Sequence, residues 1–188
     1  IAHYWPEFAQ NGKAQMTLRH ILSHQSGLYD VRNNIAEATE MADWHHMLDI
    51  MAKAKPRFSF GEDLAYQPLT FGWLVGGVLE KASGQTLAHL MQLYLVDPLV
   101  LDGAYFGVPS DQLTRVARPL LKPKNDAHRA ADKKQATVRK MSAFDKLIEL
   151  SGQNPQDFQD AMIPKGMKKF SFFSDEGIQA VIPAANGA

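Results

Sequence analysis

The stretch that most constrains this chain is Met16-Thr17-Leu18-Arg19-His20-Ile21-Leu22-Ser23-His24-Gln25-Ser26-Gly27-Leu28, which supplies a start, a buried face and a stop for one short helix. Thr17 suits the N-cap, because its hydroxyl can accept a backbone N–H that the first turn leaves free. Met16 before the cap and Ile21 within the helix can close as a hydrophobic staple. Leu18, Ile21 and Leu22 share one face at helical spacing, so that face is expected to be buried. Gly27 can take the left-handed conformation that ends a helix, with Leu28 folding back onto Leu22. Local physics alone stops at a capped helix buried on one side.

Length and composition set the frame around it. The 188 residues suffice for one domain, or one and a half, with a real core. Apolar residues at 45% and charged residues at 21% are ordinary for a globular chain. Formal net charge is zero, so overall charge calls for neither a nucleic-acid nor a membrane partner. There is no cysteine, which excludes disulfides, thiol nucleophiles and Cys-based zinc sites. No apolar run approaches the roughly 18 residues of a membrane span. The compartment stays open, with the cytoplasm favoured over the periplasm.

Along the chain, the pattern predicts mostly helix. Tyr29–Asn34 reads as polar and irregular. Asp43 can cap a helix in which Trp44, Met47, Leu48 and Met51 line one face and which ends before Pro56. Residues 58–67 form a loop around Gly61. From Leu69 to Ala82, Phe71, Leu74, Val75, Val78, Leu79 and Ala82 recur at three and four, giving an amphipathic helix closed by Gly84. Gly72 and Gly76 within it each cost ~1 kcal/mol relative to alanine, which close approach of another backbone would explain. A further helix over Thr86–Val96 turns Leu87, Leu90, Met91 and Tyr94 inward and breaks at Asp97-Pro98. Residues 99–109 suggest a turn and one short strand.

Composition then shifts. Between Arg115 and Lys140, nine Lys or Arg residues face only Asp126 and Asp132. No aromatic residue is interleaved among these charges as nucleic-acid stacking would need, so residues 119–141 read as a basic, solvated insertion. Short helices follow over Ser142–Leu150 and Asn154–Met162, and residues 164–188 are irregular or strand-like. His20 and His24 have the spacing of a zinc pair, but Ile21-Leu22-Ser23 between them omits the general-base Glu, and hydrogen bonds to neighbouring backbone are the better account. Neighbouring side chains at His45-His46 diverge on a helix and suit no single metal. No metal or cofactor is implied.

Arg19-His20, Leu22-Ser23-His24 and Ser26-Gly27-Leu28 also resemble a motif block of the β-lactamase-like serine hydrolases, which comprise class C β-lactamases, penicillin-binding proteins and family VIII esterases. Tyr4-Trp5-Pro6-Glu7-Phe8 is similar to the segment preceding that block in the esterase-like branch. Tyr66-Gln67-Pro68-Leu69-Thr70-Phe71-Gly72-Trp73-Leu74 resembles a second motif, whose tyrosine falls on Tyr66. Gly84-Gln85-Thr86-Leu87, Asp97-Pro98-Leu99, Phe106-Gly107-Val108-Pro109 and Ile182–Gly187 resemble later segments in order. The resemblance covers residues 3–118 and 180–188.

It implies an α+β fold of the β-lactamase/transpeptidase type. Residues 1–118 would be the core of the helical domain and residues 142–188 short helices returning towards the α/β domain. It also implies a serine nucleophile in a Ser-x-x-Lys motif, with Tyr66 helping to manage its proton, since an unassisted hydroxyl is a weak nucleophile. Pro68 stands where the β-lactamases place Asn and offers neither side-chain amide nor backbone N–H, which suits an esterase better. None of the nine serines is followed by lysine three positions on. The family's order places Ser-x-x-Lys before Ile1 and the Lys-Thr-Gly or His-x-Gly strand after Ala188. The expectation is therefore a mostly helical internal fragment with an incomplete antiparallel sheet. Alone it would be inactive, and its exposed apolar face would favour self-association. The parent would cleave a small-molecule ester or amide through an acyl-serine. The alternatives are a β-lactamase or D-alanyl peptidase on the same scaffold, and a non-catalytic interaction module.

Overall fold

The computed structural model describes residues 1–119, 143–150, 152 and 154–183, and every described regular element is helical. Of the basic insertion only Pro119 falls among them. The helices are α1 (Leu18–Leu22), α2 (Val31–Asn34), α3 (Trp44–Lys53), α4 (Thr70–Ser83), α5 (Leu87–Met91), α6 (Asp97–Leu99), α7 (Ala143–Leu150), α8 (Pro155–Met162) and α9 (Asp175–Gln179).

Helix α4 is the central post. It runs fourteen residues and stops where Gly84, at φ +71°, turns its N–H back to the Glu80 carbonyl at 2.8 Å. Helices α1 and α3 pack against it, and the Pro6–Ala9 turn packs on α3. Trp5, Phe8, Met16, Ile21, Met47, Met51, Trp73 and Leu74 are all fully buried in the core between them. Asp43 caps α3 by accepting the His46 N–H at 3.0 Å, as the sequence predicts. Glu80 braces three helices, with one carboxylate oxygen on Trp44 Nε1 of α3 and the other on the Leu87 N–H of α5, both at 2.8 Å.

Several expectations change. Helix α1 ends at Leu22, not near Gly27: Ser23 Oγ donates to the Arg19 carbonyl at 2.8 Å, and His24 enters the left-handed region at φ +58°. Leu22 is consequently 51% exposed. Tyr29–Asn34 is not irregular, since Asp30 accepts the Asn33 N–H at 3.0 Å and starts α2. Asp97-Pro98 does not break the helical run. A π turn over Gln92–Val96 loosens the backbone ahead of the proline ring, and α6 continues from there. Residues 99–109 hold no strand, because Val100, Gly103 and Gly107 all lie at positive φ and keep the chain turning. In the last stretch Ser174 accepts the Gly177 N–H and starts α9.

The covered side of α4 also differs from the apolar stripe. Of that stripe Leu74 and Val78 are buried and Phe71 and Val75 half-buried, while Leu79 is 42% exposed and Ala82 lies open; Trp73 and Gly77, outside the stripe, are buried as well. A Cβ at Gly72 would sit 1.5 Å from the Pro183 carbonyl oxygen, so a second backbone does press on α4 there. Gly76 and Gly77 instead admit side chains, Trp44 with Leu87 and Leu48 with Trp5. Phe71, Val75, Leu79, Leu90, Met91 and Pro183 help to line an open apolar groove of about 630 Å³. Tyr94, expected inward, is 69% exposed at this groove.

Candidate functional site: the Tyr66 cleft

The turn after α1 and the loop before α4 are built on one another. Arg57 donates its N–H to the Gly27 carbonyl at 2.9 Å, Gly61 to Gln25 at 2.9 Å and Ala65 to His24 at 3.0 Å. Gly27 is required by this approach: it sits at φ +70°, and a Cβ there would lie 2.8 Å from the Phe58 carbonyl oxygen. Ser26 and Gln67 are fully buried and bonded to each other, and Gln67 Nε2 also reaches the Ile21 carbonyl at 3.4 Å. The Gln67 N–H donates to His24 Nδ1 at 3.4 Å, which places the proton of the neutral imidazole on Nε2. Burial lowers the His24 pKa and favours that neutral form.

Tyr66 stands between Ala65 and Gln67, both tied to His24. Its ring meets the His24 imidazole edge to face, with centroids 5.0 Å apart. Half-buried, it lines a cleft of about 200 Å³ together with Tyr29, Phe58, Asp63, Asp157 and Phe158. The Tyr66 hydroxyl has no hydrogen-bond partner among the described residues. Its neighbour Tyr29 is in a different state, donating its hydroxyl to Asp157 Oδ1 at 2.8 Å. Burial, then the Asp157 hydrogen bond and charge, raise the Tyr29 pKa well above its usual value against a smaller opposing effect of Arg57. Of the two tyrosines, Tyr29 is held as a protonated donor.

The remaining candidates fall elsewhere. His20 Nδ1 accepts the Thr17 N–H at 3.1 Å in a capping role. His46 pairs with Glu40 at 2.7 Å, and His45 lies on α3. Pro68 is buried, two residues after the cleft tyrosine. Among the described residues no three of His, Cys, Asp and Glu converge as a metal would need. Sequence reasoning missed Tyr29 and Asp157. Tyr29 follows the Ser-Gly-Leu turn directly, which could have marked it, but nothing local points to Asp157.

Residues 1–182 match the family model described as Beta-lactamase, and the chain belongs to that family. It is 38% identical over 122 residues to the esterase/beta-lactamase LipL of Mycobacterium tuberculosis (strain ATCC 25618 / H37Rv), an overlap of 64% of this chain and 28% of that protein. It resembles the crystal structure of a penicillin-binding protein homolog from Caulobacter crescentus at a TM-score of 0.67 and 27% identity, over 97% of this chain and 42% of that one. A family VIII carboxylesterase structure matches at a TM-score of 0.57 and 33% identity, over 63% of this chain and 33% of the other. The chain thus spans less than half the length of each of these relatives.

Proposed function

We propose that these residues are the helical part of a serine hydrolase that cleaves carboxylic esters, with Tyr66 managing the proton of the nucleophile. A serine Oγ attacks the ester carbonyl, the alcohol leaves with a proton, and water then releases the acid from the acyl-serine. The Ser-x-x-Lys pair would come from the part of the longer protein that these relatives possess beyond this overlap. The completing antiparallel sheet would come from there too. The single observation that carries the reading is Tyr66 itself, with the loop around it bonded to His24 on both sides, its ring on the cleft wall and its hydroxyl without a hydrogen-bond partner among the described residues. Pro68 supports an ester over a β-lactam, having neither a side-chain amide nor a backbone N–H to offer a substrate. Neither metal nor cofactor is called on.

The names of two relatives, an esterase/beta-lactamase and a penicillin-binding protein homolog, support the second reading, a β-lactamase or D-alanyl peptidase. The full-length protein decides between them. Saturable hydrolysis of p-nitrophenyl butyrate with no nitrocefin turnover supports the esterase, and the reverse supports the lactamase. Turnover of neither, with no serine labelled by a fluorophosphonate, would leave a non-catalytic interaction module.

A further inference from the structure

The Tyr66 cleft carries a sign of charge as well as a shape. Its described walls are aromatic, from Tyr29, Phe58, Tyr66 and Phe158, and its two described ionisable walls besides the tyrosines are both carboxylates, Asp63 and Asp157. No described lysine or arginine lines it. Of the guanidiniums on the flanking segments, Arg57 reaches the Tyr29 hydroxyl from behind this wall but is paired with Asp30 at 3.3 Å, and Arg32 is engaged with the Ile163 carbonyl at 2.8 Å and Asp160 at 4.0 Å. Asp157 is held in place by the Tyr29 hydroxyl and is half-buried, so its field is less screened than that of a free surface carboxylate. Asp63 is exposed at the rim, where its Oδ1 accepts the Leu64 N–H at 2.7 Å.

The geometry points to a charge filter: the cleft admits the neutral or cationic part of an acyl ester against its aromatic walls and rejects substrates that place a carboxylate there. Like charges set against one another suppress the wrong ligand more than they strengthen the right one. The inference rests on the ester-hydrolase reading of Tyr66 and adds the substrate class to it. It also runs against substrates that are themselves carboxylates, such as β-lactams and peptides with a free C-terminus.

The test compares kcat/KM in the full-length protein for p-nitrophenyl butyrate and two anionic counterparts. Mono-p-nitrophenyl succinate carries the carboxylate on the acyl chain, and 3-carboxy-4-nitrophenyl butyrate carries it on the leaving group. At low ionic strength at least one anionic ester should be disfavoured by about tenfold or more, a like-charge contact at modest effective dielectric being worth that much. The ratio should shrink as salt is raised, and should fall further in Asp63→Asn and Asp157→Asn. In Asp157→Asn the amide oxygen can still accept the Tyr29 hydroxyl. Among the described residues the only hydrogen bond to the Asp63 carboxylate comes from its neighbour Leu64, so Asp63→Asn keeps the test open if the other variant folds poorly. Equal turnover of all three esters would overturn the filter and leave the ester-hydrolase reading standing. A preference that ignores salt and both variants would likewise overturn it. Failure to hydrolyse any of the three would overturn both.

Discussion

Tyr66 is positioned by the bonds of its neighbours and by its ring on His24, both of which survive loss of the hydroxyl, so removing that hydroxyl should separate stability from activity. In the full-length protein, Tyr66→Phe should leave the unfolding free energy from urea titration within about 0.5 kcal/mol of wild type. The acylation rate should drop by ~10²–10⁴, the usual worth of a positioned acid–base group. Equal acylation would remove Tyr66 from the mechanism, and an unfolded variant would make it a core residue. Lys13 gives a second residue-scale prediction. Its ammonium is fully buried and donates to the Ala52 carbonyl at 3.0 Å and to that of Ala54, just past the end of α3, with the Phe8 ring 5.0 Å away. Burial lowers its pKa from 10.5 to about 8. Between those values the unfolded chain holds a proton that the folded chain has lost, so stability rises with pH across the window, by at most about 3 kcal/mol. Tyr29, with its raised pKa, acts in the opposite sense above its ordinary value of 10.0. Thermal midpoints should therefore climb from pH 7.5 to 9.5, and Lys13→Met should flatten that climb. A motif singles out Tyr66 in the sequence, and the structure places it on the wall of a cleft. The partner wall was not legible there, because Tyr29 and Asp157 meet across 128 positions and no local pattern encodes such a pairing.

Among the elements, α3 was legible nearly to the residue, since Asp43 caps it with a local bond and its buried face repeats at helical spacing. The extent of α4 is equally plain, yet its covered side coincides with the apolar stripe only in part, at Leu74 and Val78. Periodicity reports which face is apolar, whereas Gly72, Gly76 and Gly77 decide which face a neighbour can reach. The end of α1 escaped notice because a non-glycine residue, His24, took the left-handed position. Two substitutions separate the roles of the α4 glycines. Gly77→Ala inserts a methyl 2.8 Å from both Leu48 and Trp5, and should cost about 1–3 kcal/mol in urea unfolding, as overpacking does. Gly72→Ala pushes on the Pro183 backbone instead, so it should leave the helix intact and release the segment around Ile182 to proteolysis. A protease-resistant Gly72→Ala variant would show that this contact is not what holds the segment.

At the scale of the whole molecule, the groove beside α4 bears on how the 188-residue chain should behave. The chain alone should not turn over p-nitrophenyl butyrate or nitrocefin, because none of its nine serines sits in Ser-x-x-Lys. Saturable hydrolysis would overturn that. An apolar concavity of about 630 Å³, with exposed Leu79 and Tyr94 at its edge, should draw copies together. Sedimentation velocity should show mass rising with concentration, and Leu79→Glu should return the chain to a monomer. The Gly72–Pro183 contact carries one more consequence, and it concerns the order of events at the ribosome. More than a hundred residues separate the two partners, and chains emerge at roughly 5–20 residues per second, so α4 waits about five to twenty seconds for the segment that covers its Gly72 side. During that interval the Gly72 side of α4 lacks its cover and is open to chaperones and to other nascent chains. Slower elongation should therefore lengthen the exposure of this side of α4 and raise the aggregated fraction, although the stability of the finished fold is the same.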